Sequence, residues 1–162
     1  VPVAVKEVGN GISASVARRL SDCGVAAIDV AGAGGTSWSE VEAHRQPDAA
    51  TRDVAHSFAG WGIPTALALT EIRRTVGDLP LFASGGVRDG IDVAKAVRLG
   101  AALAGVAQPM LGAAADPGGS VAARLNALVT ELKIAAFCTG SRDLAALRKA
   151  ILRRSDDWSV VG

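Results

Sequence analysis

An alternation repeated along the chain restricts the fold more than any other feature: a short apolar run, a glycine-containing turn, a segment of helical spacing, then a glycine that stops it. Val1 to Val5 is a β-branched run fit for a strand buried on both faces. Ser13 serves as an N-cap, the pattern Val16, Ala17, Leu20, Cys23 takes up helical spacing, and Gly24 stops it. Val25 to Val30 is the next buried strand, closed by Gly32-Ala33-Gly34-Gly35. Ser39 to His44 forms a short helix, and the polar, proline-containing stretch Gln46 to Arg52 reads as a loop. Pro64 opens a helix through Leu67, Leu69, Ile72 and Val76, which Gly77-Asp78 ends before a strand from Leu79 to Ala83. Asp89 caps a helix carrying Ile91, Val93, Ala94 and Val97; Gly100 terminates it, and Ala101 to Ala107 supplies a fourth strand. A long helix from Val121 to Thr139 presents Val121, Leu125, Leu128 and Leu132 on one face, and a shorter one follows from Asp143 to Leu152.

Four β-α units with right-handed crossovers build either a doubly wound sheet or a (β/α)8 barrel. Length separates the two. A complete barrel takes about 250 residues, so 162 residues with four such units amount to half a TIM barrel, four parallel strands with helices, in a single partial domain spanning 1–162. Within it, Val16-Ala17-Arg18 through Gly24 into Val25 resembles Val93-Ala94-Lys95 through Gly100 into Ala101, a weak internal repeat. The chain opens on its first strand without an initiator Met, as a piece cut there would.

Composition excludes several classes. A formal net charge of +1 with scattered signs offers no basic block for nucleic acid or anionic lipid. Leu99 to Ala115, the longest charge-free stretch, is too short and too rich in Ala and Gly to span a bilayer, so no membrane association is expected. Cys23 and Cys138 sit in helix-like apolar patterns and are expected as buried free thiols in a reducing, cytoplasmic setting.

Candidate chemistry gathers where the strands end. Lys6 closes an apolar strand and calls for an anionic partner, for which Asp29 on the next strand is the candidate, the alternative being a surface pair with Glu7. Gly32 to Ser37 offers backbone N–H groups and hydroxyls in one turn. Ser84-Gly85-Gly86-Val87-Arg88-Asp89-Gly90 lets the backbone approach a ligand closely and leads into a helix whose positive end, with Arg88, suits a phosphate. Ala107-Gln108 then completes a phosphate pocket between the last two strands. His44 and His56 read as solvated loop residues, and Trp38 and Trp61 flank the second turn as a lid or as packing. Asp92, Glu131, Asp156 and Asp157 read as surface or tail charges, Trp158 as part of the tail, and no carboxylate cluster marks a metal.

Five words, in order, carry a resemblance: Val3-Ala4-Val5-Lys6-Glu7-Val8-Gly9; Ala26-Ala27-Ile28-Asp29-Val30 with Gly34-Gly35-Thr36-Ser37-Trp38; Trp61-Gly62-Ile63-Pro64-Thr65; Ala83-Ser84-Gly85-Gly86-Val87-Arg88; and Phe137-Cys138-Thr139-Gly140. Together they resemble the C-terminal half of the type 2, FMN-dependent isopentenyl-diphosphate isomerases over almost the whole chain. The resemblance implies an FMN site with Lys6 near the flavin ring, Thr36 toward the phosphate side, and Gly86, Val87, Arg88, Ala107 and Gln108 around the phosphate. It implies isomerisation of isopentenyl diphosphate to dimethylallyl diphosphate in isoprenoid biosynthesis. Reduced FMN, Mg²⁺ and NADPH as flavin reductant are implied with it, in a homo-oligomer. The Mg²⁺-linked residues and substrate-diphosphate contacts are implied in the other half, and no catalytic residue is assigned in this one. Gln108 and Ala33 stand where such proteins often carry a basic residue. Two readings compete: another FMN-dependent barrel oxidoreductase, or a non-catalytic phosphate-binding half barrel. The hydroxy-acid oxidases place a histidine after the second strand, and none stands there.

Overall fold

The computed structural model describes residues 1–153, so Asp156, Asp157 and Trp158 lie outside the described residues. Strands β1 (Ala4–Lys6), β2 (Ala27–Asp29), β3 (Leu81–Ala83) and β4 (Leu103–Ala104) form one parallel sheet in sequence order. The register sets Lys6 beside Asp29, Asp29 beside Phe82, and Ala83 beside Ala104. The order never reverses, so right-handed crossovers place the connecting helices on one face, the arrangement of a barrel segment and not of a doubly wound sheet.

Helix α1 (Ala14–Asp22) joins β1 to β2, and Ser13 caps it by accepting from the Val16 N–H. Between β2 and β3 lie α2 (Trp38–Arg45), α3 (Ala49–His56) and α4 (Thr65–Val76). Helix α5 (Gly90–Arg98), capped by Asp89, joins β3 to β4. Helices α6 (Gln108–Ala115), α7 (Val121–Cys138) and α8 (Leu144–Leu147) follow. The internal repeat is visible as two helices ended by left-handed glycines, Gly24 at φ +81° and Gly100 at φ +102°.

The core lies between the sheet and α1 and α4. Ile28, Val30, Leu69, Ile72 and Leu81 are fully buried there, and Ala17, Ala68 and Ala96 let the helices approach closely. A smaller cluster of Ala94, Val97 and Leu147 joins α5 to α7 and α8.

Several expectations are corrected. Strand β1 is not buried on both faces: Val5 packs against the core and is half-buried, whereas Ala4 and Lys6, on the opposite face, are exposed. The expected loop from Gln46 to Arg52 contains the start of α3, because Asp48 accepts from the Thr51 N–H and caps a helix that buries none of its residues. The fourth strand stops at Ala104, and residues expected to extend it turn into α6, where Pro109 stands in the first turn. Helix α7 buries only Leu128; Leu132 is half-buried, and Val121 and Leu125 face outward. Cys23 and Cys138 are exposed free thiols, each at the end of its helix beyond the packed turns. Helix α8 covers only Leu144–Leu147 of the stretch expected to run to Leu152.

Candidate functional site

The carboxyl ends of all four strands open on one cleft of about 670 Å³. Lys6, Thr36, Gly86, Val87, Arg88, Ala107 and Gln108 all line it, together with Asp29, Ser84 and Trp38. Its floor is made by two glycine turns packed backbone against backbone. Gly85 and Gly86 adopt φ +91° and +75°, and a Cβ on Gly86 would lie 2.7 Å from the Gly34 carbonyl. One on Gly85 would overlap the Gly32 backbone. The turns are tied by the Gly32 N–H donating to Ser84 O at 3.1 Å, and by the Thr65 hydroxyl reaching Ser84 O at 3.1 Å and Gly85 O at 2.6 Å. Only glycine permits this approach at these positive φ angles.

The helix behind the second turn is less available to an anion than its sequence suggests. The Asp89 carboxylate accepts from the Asp92 N–H at 2.8 Å, and Glu131 of α7 accepts from the Gly90 N–H at 2.6 Å. Asp92 accepts from the Arg88 N–H at 3.3 Å and from its guanidinium at 2.9 Å. Asp92 and Glu131 are therefore bonded parts of the turn and not free surface charges. Three carboxylates thus occupy the positive end of α5. The open helix end is that of α6, where Ala107 provides no side-chain cap and the first turn has no acidic residue. Pro109 carries no N–H and the Met110 N–H donates to Ala107 O at 2.9 Å, so what this end presents to the cleft is Gln108. Arg88 remains at the rim, largely exposed; its hydrogen bond to Asp92 holds the guanidinium above its ordinary pKa. Burial acts to raise the Asp92 carboxyl, and the Arg88 contacts outweigh it, holding the group below the usual carboxylate range.

Lys6 meets both partners proposed for it in part. Its Nζ lies 3.8 Å from Asp29 Oδ2, and donates to Ser84 Oγ at 3.3 Å and to the Glu7 main-chain oxygen at 2.9 Å. The Glu7 carboxylate is turned elsewhere: Oε2 accepts from the N–H groups of Gly9, Asn10 and Gly11 at 2.7, 2.5 and 3.0 Å. Partial burial acts to raise its pKa, and these backbone donors outweigh burial and lower it. A depressed folded pKa contributes stability that is present above the unfolded value and lost as pH falls through the folded one. Glu7→Gln is therefore expected to cost about 1 kcal/mol at neutral pH, discounted for solvent exposure. In denaturant titrations the gap to the parent should shrink as pH falls below the unfolded carboxylate value of about 4.3; a gap independent of pH through the acid range contradicts the assignment.

The remaining candidates divide. Trp38 Nε1 donates to Val8 O at 2.6 Å, which holds the indole at the cleft rim. Trp61 lies instead in a neighbouring groove, edge-on to Phe58 with ring centroids 5.9 Å apart. Ala33 does not line the cleft; its N–H donates to Ile63 O. His44 and His56 belong to helices α2 and α3 and not to a loop. They lie off the cleft, and His56 Nδ1 is 2.8 Å from Glu40 Oε1. Among the described residues no three His, Cys, Asp or Glu side chains converge as metal ligands, and no helix is long and apolar enough to cross a membrane. Sequence reasoning missed the α6 end, the Asp29–Ser84 bond and the Glu131 brace.

Parallel βα units whose strand ends open together on one glycine-floored cleft define a segment of a (β/α)8 barrel. The chain belongs to the FMN-dependent dehydrogenase family, matched over residues 1–154. It is 58% identical over 152 residues to an isopentenyl-diphosphate delta-isomerase of Stutzerimonas stutzeri (strain A1501), covering 94% of this chain and 44% of that protein. It is 55% identical to one of Synechocystis sp. (strain ATCC 27184 / PCC 6803 / Kazusa), with the same coverages. The chain spans under half the length of these relatives. Among solved structures, a mandelate oxidase with 3,3-difluoro-2-hydroxy-3-phenylpropionic acid superposes with TM-score 0.68 at 25% identity, over 94% of this chain and 40% of that one. A GMP reductase from Trypanosoma brucei with guanosine 5'-triphosphate gives TM-score 0.68 at 25% identity, over 93% and 32%.

Proposed function

We propose that this chain is the cofactor-holding, C-terminal half of an FMN-dependent isopentenyl-diphosphate isomerase. The observation that carries the reading is the meeting, in one cleft, of an uncapped helix end, a Gly-Gly turn free of side chains, and a lysine on the opposite strand end. That donor set fits FMN. Its phosphate would sit against Gly86, Val87, Arg88, Ala107 and Gln108, with Thr36 toward the phosphate side and Lys6 toward the ring. In (β/α)8 barrels such phosphate sites follow the last two strands and use a short extra helix, the position of α6 here. This supports the C-terminal placing. The identity of 58% with a delta-isomerase, against 25% with the mandelate oxidase, supports isomerisation over oxidation of a hydroxy acid.

Bound in reduced form, FMN supplies proton exchange with the substrate's carbon skeleton without net redox change. The chain's own part is to bind and orient. The α6 end and the glycine turn fix the phosphate, Lys6 sets a positive charge beside the ring, and Trp38 shields one side of the cleft. Mg²⁺, the diphosphate contacts and their ligands belong to the other half of the barrel; NADPH serves as reductant. The two open sheet edges are covered in a completed barrel within a homo-oligomer. The free thiols of Cys23 and Cys138 support a cytoplasmic setting.

Proton NMR tests the reaction. The complete protein with FMN, Mg²⁺ and NADPH should convert isopentenyl diphosphate to dimethylallyl diphosphate; bound, reduced FMN without conversion overturns the isomerase reading. The phosphate placing is tested separately by Gln108→Arg, which adds a charged donor at the α6 end. It should tighten FMN binding by about tenfold in fluorescence quenching, whereas Gln108→Glu should weaken it. No change in either variant removes α6 from the site.

A further inference from the structure

The ends of β1, β2 and β3 each contribute one polar side chain to the cleft floor: Lys6, Asp29 and Ser84. Ser84 Oγ lies 2.8 Å from Asp29 Oδ1 and 3.0 Å from Oδ2. A carboxylate can only accept, so the single hydroxyl proton of Ser84 is committed to Asp29. Ser84 must therefore act as acceptor toward Lys6, whose Nζ is 3.3 Å away. The ammonium has three N–H groups. One goes to Ser84 and one to the Glu7 main-chain oxygen at 2.9 Å, which leaves a third for the cleft. Lys6 and Asp29 stand 3.8 Å apart, beyond hydrogen-bond distance, with the serine oxygen bonded to both. Ser84 thus works as a spacer that keeps the lysine from collapsing onto the carboxylate.

We infer that Ser84, its hydroxyl polarised by Asp29, is a positioning residue that aims one N–H of Lys6 at the flavin ring. This rests on the FMN reading above. An ammonium so aimed favours the reduced, more anionic flavin over the oxidised one, because charge beside the ring tunes its electronics. Without the serine hydroxyl, the lysine pairs directly with Asp29 and withdraws from the ring.

The test is a double-mutant cycle on the FMN-binding protein, read as the ratio of reduced-FMN to oxidised-FMN affinity by anaerobic titration. Ser84→Ala should lower that ratio by about tenfold, whereas Ser84→Thr, which keeps the hydroxyl, should leave it within about twofold. In a Lys6→Met background Ser84→Ala should change nothing further. A purely structural serine would weaken both redox states alike, leaving the ratio unmoved, and that result overturns the inference. An equal drop in the ratio with and without Lys6 also overturns it, since the serine would then not act through the lysine. Absence of FMN uptake by the unsubstituted protein overturns the cofactor reading itself, a failure distinguishable from the other two.

Discussion

Gly85→Ala is expected to destabilise the fold by about 4 kcal/mol, as a left-handed alanine costs about 1–2 kcal/mol and forced overpacking adds about 1–3. The position is at φ +91°, and the added methyl would fall on the Gly32 backbone, which no rotamer change can move aside. Relief requires the β2 and β3 turns to part, breaking the bonds from Gly32 N–H and the Thr65 hydroxyl. Flavin retention should be lost along with stability, because the same two turns form the cleft floor. Gly24→Ala is the control. Gly24 also has a positive φ, +81°, but has open space around its Cβ direction, so it should bear the conformational cost alone. Urea denaturation of the two variants separates clash from strain. Equal losses would show that the turns are not packed as described.

Leu69→Ala should cost about 3 kcal/mol, the usual size for deleting a fully buried leucine from a core that cannot close around the gap. Leu69 is inaccessible to solvent on the inner face of α4, among Ile28, Ile72 and Leu81. Leu67, on the same helix, is 48% exposed, and its alanine variant should lose under about 1 kcal/mol. Thermal denaturation of the pair measures the difference. Comparable losses would mean that α4 buries a different face. Below its melting transition the Leu69 variant should still bind flavin, since no member of its core cluster lines the cleft.

The features readable in sequence were those set within a few residues. Glycine stops at Gly24 and Gly100, the capping residues Ser13 and Asp89, and the Gly85-Gly86 turn depend on local backbone preferences, and each stands in the structure where its residue type placed it. The convergence of Lys6, Thr36, Gly86 and Gln108 followed from one rule, that barrel strands end on a common rim. Helices α3 and α6 escaped notice because neither buries a residue, and hydrophobic periodicity reports only packed faces. The exposure of one face of β1 depends on what packs against it, a property of the fold and not of Val1 to Val5. Ser84 and Asp29 are 55 positions apart, and Gly90 and Glu131 are 41 apart. Their bonds exist only once β2 aligns with β3 and α7 crosses the start of α5. For the same reason the positive end of α5 looked open in sequence, although Glu131 closes it in space.

The most direct measurement compares the protein's affinity for FMN with that for riboflavin, which has the same ring and lacks the phosphate. With the phosphate held by the α6 end and the turn at Gly86, FMN should bind at least about a hundredfold more tightly, and the advantage should shrink as inorganic phosphate is added. Equal affinities for the two flavins would contradict the account.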